Sequence, residues 1–66
     1  MINLAYVVGV MRRACMTRND ADNAEARAAL KQWNDERPLR LARGKNAQRD
    51  EKRAEDALRV WVLPPD

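Results

Sequence analysis

One thiol, Cys15, and one aliphatic hydroxyl, Thr17, are the nucleophile candidates of this chain, and it contains neither His nor Ser to activate or accompany them. A Ser-His-Asp or Cys-His arrangement therefore has no complete set of members within one chain. Carboxylates are present, but they are interleaved with basic residues in a chain that is 35% charged. Acid–base work needs an apolar pocket that shifts a carboxylate's pKa, and no stretch of sequence offers one. With one Cys and no His, zinc sites of the Cys/His type and an intrachain disulfide are both excluded. Gly9 and Gly44 are too few and too far apart for a phosphate-cradling loop. These residues predict a non-enzymatic protein with no catalytic residues, no metal ligands and no cofactor, which acts by binding.

Two groups of residues are suited to binding. The first is apolar. Of 18 large apolar residues, nine fall in residues 1–16 (Met1, Ile2, Leu4, Tyr6, Val7, Val8, Val10, Met11, Met16) and five in residues 58–63 (Leu58, Val60, Trp61, Val62, Leu63). Only Leu30, Trp33, Leu39 and Leu41 lie between. The two end segments thus supply most of the hydrophobic driving force, and are expected to meet each other or the ends of another copy. Ile2, Leu4, Tyr6, Val7, Val10, Met11, Met16 and Trp61 are the candidate protein-interface residues.

The second group is basic. Residues 37–53 hold Arg37, Arg40, Arg43, Lys45, Arg49, Lys52 and Arg53 against Asp50 and Glu51, a net +5, while residues 17–36 carry a net −2. Arg40, Arg43, Lys45, Arg49 and Arg53 are the candidate phosphate contacts if the partner is nucleic acid. A solvated face, or one half of a charge match with the acidic segment of a neighbouring subunit, accounts for the same run. No base-stacking aromatic lies within it. Trp33-Asn34 with Arg37-Pro38, and Leu58-Arg59-x-Trp61-Val62 before Pro64-Pro65, resemble fragments of small phage excisionases. That resemblance implies a winged-helix protein that bends DNA. It covers about a quarter of the chain, its two halves are spaced too far apart, and residues 1–16 have no counterpart in it, so no residue role is carried over.

The elements that must position these groups read as all-α: three short helices over about residues 2–16, 22–35 and 47–62, in one small helical domain spanning 1–66. On a helical wheel Leu4, Val7, Val8, Met11, Ala14 and Cys15 form one stripe, yet Ile2, Tyr6, Val10 and Met16 lie on the other side and are also apolar. Such a helix is normally buried all round. Gly9 within it predicts a close helix crossing. Asp22 with Glu25 fits an acidic capping box for the second helix, in which Ala26, Ala29, Leu30 and Trp33 make one stripe and Ala21, Ala24 and Ala28 a second. Pro38 ends this helix at or before Arg37, and residues 38–45 read as a connector. Asn46 is the candidate N-cap of the third helix, in which Glu55 and Arg59 are spaced for an i,i+4 pair and Ala47, Ala54, Ala57, Leu58, Trp61 and Val62 share a face. Tyr6-Val7-Val8-Gly9-Val10 and Val60-Trp61-Val62 also favour strand. The alternative is therefore α+β, with terminal strands flanking a helical hairpin.

A chain of this size is marginal as a lone fold, and disulfides and metals are unavailable to reinforce it. The bundle is expected to be completed by itself, as a homo-oligomer, or by a larger protein assembly, with nucleic acid as the alternative partner. The apolar run at residues 1–11 is half the length of a membrane span, and its charges follow rather than precede it, unlike a signal peptide. With one free Cys, this predicts a cytoplasmic, intracellular setting, and small basic chains of this kind are often encoded by phages and mobile elements.

Overall fold

The computed structural model describes residues 1–65. Four helices follow in order, α1 (Leu4–Thr17), α2 (Asp20–Asp35), α3 (Arg37–Leu41) and α4 (Ala47–Arg59), and no strand occurs among the described residues. The fold is all-α, and the α+β alternative is overturned. Tyr6, Val7, Val8 and Val10 sit in the middle of α1, because their fit to a helical face on α2 outweighs a strand preference with no partner strand to satisfy.

Local chemistry fixes the ends. Asn3 caps α1 by accepting the Ala5 N–H at 2.7 Å, so the helix starts at Leu4 and Ile2 stays outside it. Arg18 takes the left-handed conformation, φ 53°, and its N–H returns to the Ala14 carbonyl. Asn19 follows at once as the N-cap of α2, accepting the N–H groups of Ala21 and Asp22. The expected Asp22–Glu25 capping box does not form. Asn19 already occupies the cap position, and the Asp22 carboxylate instead accepts the Thr17 hydroxyl at 2.7 Å. Two residues, Arg18 and Asn19, therefore make the whole turn between the two longest helices.

Those helices make the largest packed interface. Val7, Val10, Met11 and Ala14 of α1 are buried against Ala26, Ala29 and Trp33 of α2. Val10 was expected on the far side of α1 yet is only 4% exposed. The buried arc is turned so that Leu4, Val8 and Cys15 become half-buried flanks rather than its centre. Ala21, Ala24 and Ala28 are exposed, so α2 has no neighbour on its second alanine face. Gly9 does not mark a close crossing either: a Cβ built there meets nothing within 4 Å.

Pro38 lies in the first turn of α3, where its fixed φ suits a helix start. The expected connector is thus half helix. Asn46 does occupy the N-cap position of α4, but its side chain makes no cap bond. The helix stops at Arg59, three residues short of the expectation. The Trp61 N–H closes a last turn on the Leu58 carbonyl, and residues 61–65 then run without helix or strand. Val62 leaves the helix face and is 81% exposed. Glu55 pairs with Arg37 at 3.5 Å and Arg59 with Asp56 at 3.7 Å, in place of the expected Glu55–Arg59 pair.

α4 runs in the same sense as α1. Leu4, at the start of α1, lines a cleft with Ala47, at the start of α4, and with Ala54 in its middle, while Cys15, near the end of α1, meets Val62 beyond the end of α4. The molecule is elongated, 39 × 18 × 17 Å.

Candidate interaction surface

Three of the eight expected interface residues belong to the core. Val7, Val10 and Met11 are buried within their own chain and cannot contact a partner. Ile2 is half-buried and donates its N–H to Glu36 Oε1 at 2.8 Å, which ties the chain ahead of α1 to the junction of α2 and α3. This bond is the main cause that holds the Glu36 carboxyl below its ordinary value. Leu4 is half-buried, and Tyr6 is about half exposed with its hydroxyl donating to Glu25 Oε1 at 3.1 Å. Losing that proton would break the bond and set two negative charges together, so the phenol pKa is raised. Met16 is 70% exposed, and Trp61 is half-buried against the core.

The wheel missed two residues. Val60 and Val62 are 70% and 81% exposed, beside the inward-facing Trp61 and Leu63. Val60 keeps helical angles and falls on the side of α4 away from the buried Leu58, while Val62 turns outward because the helix has ended before it. The segment after α4 is strapped to the α1–α2 hairpin by side chains acting on its carbonyls. Cys15 Sγ donates to the Val62 oxygen at 3.1 Å, Asn23 Nδ2 to the Pro64 oxygen at 3.3 Å, and Arg27 Nη2 to the same oxygen at 2.6 Å. The strap brings Val62 to the end of α1 that carries Met16, and an exposed apolar end results.

The basic residues divide. Arg40 is withdrawn from any phosphate role. Its guanidinium lies 3.6 Å from the Trp33 ring centroid and makes a bidentate pair with Glu51, through Nε to Oε1 and Nη2 to Oε2. It also donates to the Trp33 carbonyl. The two charged side chains are only 11% and 8% exposed. The hydrogen bond from Arg40 holds the Glu51 carboxyl below its usual value against the opposing effect of burial, and the charges of Arg40 and Arg37 act in the same direction. Arg43, Lys45, Arg49 and Arg53 are exposed. The Arg40–Glu51 pair was missed from sequence, although a signal exists: Glu51 falls on the same face as Ala47, Ala54 and Leu58, the buried side of α4.

Compared with family models, with curated proteins and with solved structures, the chain matches none. The site must therefore be read from its own geometry. Among the described residues no group of three His, Cys, Asp or Glu side chains is arranged to hold a metal ion. No helix among them is long and apolar enough to cross a membrane.

Proposed function

We propose that this chain is a non-enzymatic protein-interaction module whose contact surface is the apolar end formed by Met16, Val60 and Val62, with Tyr6 further along α1. What carries the reading is that Met16, Val60 and Val62 are the most exposed large apolar side chains among the described residues, with Val62 held beside Cys15 near the end of α1. Exposed apolar area gathered in one place is stabilised by a partner that removes it from water. The core has already consumed Val7, Val10 and Met11, so the interface is narrower than the whole of residues 2–16 and is displaced toward the end of α1. The partner is another copy of this chain or a larger protein assembly. Sedimentation velocity at micromolar to near-millimolar concentration tests it. Reversible association is expected for the native chain and is lost in Met16→Glu and Val62→Glu. A native chain that remains a monomer throughout and captures no partner refutes the reading.

A second reading rests on a different observation. Arg49 and Arg53 lie one turn apart on the solvent side of α4, and Arg43 and Lys45 precede its first turn; all four are exposed. These cations suit a nucleic-acid backbone. Binding of that kind weakens steeply with salt. A gel-shift assay at low and moderate salt, with Arg43→Glu and Arg49→Glu, separates the two: salt-insensitive association indifferent to these changes leaves the protein-binding reading alone.

A further inference from the structure

Ion pairing within the chain leaves its charge uneven. Arg37, Arg40 and Arg59 each hold a carboxylate, of Glu55, Glu51 and Asp56 respectively. Arg43, Lys45, Arg49, Lys52 and Arg53 are exposed and form no ion pair among the described residues. With Glu51 taken up by Arg40, the one acid left among them is Asp50. This crowding does nothing for the fold. Arg43 and Lys45 precede α4 and Arg49 lies in its first turn, where cations oppose the helix dipole. An external array of negative charge relieves the repulsion among them.

The acidic segment of a second copy is poorly suited to that task. Asp22 accepts from Thr17, Glu25 from Tyr6 and Glu36 from Ile2, and Asp35 pairs with Lys31, so each is already engaged in its own chain. Asp20 shares its face of α2 with Arg27 and Lys31, seven and eleven residues on. An anionic membrane fits no better. Helices that bind membrane surfaces combine cations with an apolar face that enters the bilayer. Here α4 starts at the Leu4 end of α1, whereas the exposed Met16 and Val62 lie at its Cys15 end. A single strand is held by aromatic platforms. Yet Arg40 covers the Trp33 ring, Trp61 packs against the core, and Tyr6 stands on α1 with its hydroxyl on Glu25. What fits a rigid cluster of cations without aromatics is dense phosphate at fixed spacing. A duplex carries one charge per about 1.7 Å of its axis, twice the density of either strand.

We propose that Arg43, Lys45, Arg49, Lys52 and Arg53 bind the sugar–phosphate backbone of a nucleic-acid duplex. The three arginines present planar donors that match phosphate oxygens two at a time. The proposal rests on the second reading above and deepens it, by naming the duplex as the partner and by adding Lys52 to the contact set.

Fluorescence anisotropy on the full chain tests it, with labelled DNA and RNA duplexes and a single strand of equal length. Five phosphate contacts predict that the logarithm of DNA-duplex affinity falls with the logarithm of salt at a slope of about −4.5, against about −3.5 for the single strand. The duplex is thus expected to bind at least about tenfold tighter at about 50 mM salt. Arg49→Gln with Arg53→Gln should reduce the duplex slope to about −2.7. Arg12→Gln with Arg13→Gln, on α1, should leave it unchanged. All four side chains are exposed, so the circular dichroism of both variants should match the native chain. A single strand bound as tightly as the duplexes overturns the duplex assignment while sparing the nucleic-acid reading. A native chain that binds none of the three overturns both, whether or not it then binds phosphatidylserine vesicles. A slope that falls equally in the Arg12 and Arg13 variant overturns the assignment to these five cations.

Discussion

Arg40 and Glu51 show how one pair of side chains can join three helices. Glu51 stands on the buried side of α4, Arg40 comes from α3, and both the Trp33 ring and its carbonyl belong to α2. A buried charge left without its partner is costly, whereas replacing both members with apolar groups is often neutral or better. Glu51→Gln is therefore expected to destabilise by about 3 kcal/mol, because it strands the guanidinium. The double change Arg40→Met with Glu51→Leu should recover most of that loss in urea unfolding. A double variant as weak as the single one would mean that the stacking of Arg40 on Trp33, not the charge pairing, holds the helices. The pair also sets the response to acid. The Glu51 carboxyl is held below its ordinary value in the folded chain, chiefly by the hydrogen bond from Arg40, and Glu36 is lowered too, chiefly by the Ile2 N–H. A lowered folded-state pKa gives stability that is complete above the unfolded value, about 4.3, and is lost as pH falls through the folded one. Thermal melts should thus be flat from neutral pH to about 5 and then decline. Glu51→Gln should start lower and decline less. Equal acid sensitivity in both chains would contradict this assignment.

Among the elements, α1 and α2 were legible because their patterns are local. Apolar residues recur at helical spacing in both and alanine fills the exposed side of α2, whereas their caps, Asn3 and Asn19, differ from the starts expected at residues 2 and 22. What could not be read was decided by contacts between elements. The wheel gave α1 two apolar sides, and only the docking of α2 selected Val7, Val10, Met11 and Ala14 as the buried set. α3 was missed because one turn begun by Pro38 has no periodicity to detect. The end of α4 was misjudged because the gripped carbonyls of Val62 and Pro64 draw residues 60–65 away from a helix their spacing would allow. Of the candidate surface, the exposure of Arg49 and Arg53 was legible from their place opposite the alanine face of α4, while Val62 emerged only because that helix ends early. The misreading of Gly9 yields a prediction. A glycine inside a helix costs about 0.5–1 kcal/mol relative to alanine unless it serves close packing. The position beside Gly9 is open, so Gly9→Ala should stabilise the chain by that amount in denaturant unfolding. Gly44 has φ +144° and should respond in the opposite direction to the same change. Destabilisation by Gly9→Ala would show that a second molecule approaches α1 there.

For the molecule as a whole, the question is whether four short helices reach their full stability alone. The core of this 39 Å rod contains one large aromatic side chain, Trp33, and is otherwise built of Val, Met, Leu and Ala. Such a core gives a small margin, and apolar side chains remain outside it at the end of α1 and beyond α4. If association covers them, folding and binding are linked by mass action. Each tenfold rise in concentration then adds about 1.4 kcal/mol per dimer, or about 0.7 kcal/mol per chain. A chain this small moves by about 4–8 °C per kcal/mol, so the melting temperature should climb by about 3–6 °C per tenfold rise in concentration. Met16→Glu with Val62→Glu should abolish the climb while leaving the dilute melting temperature nearly unchanged, because both side chains are exposed in the monomer. Salt tells this from a charge-matched assembly. Apolar association holds or strengthens as salt is added, whereas pairing of the acidic segment 17–36 with the basic segment 37–53 of a neighbour weakens through screening. A melting temperature that ignores concentration from micromolar to near-millimolar would mean that the exposed valines and Met16 are simply tolerated in water, and that the chain acts through the cations of α4.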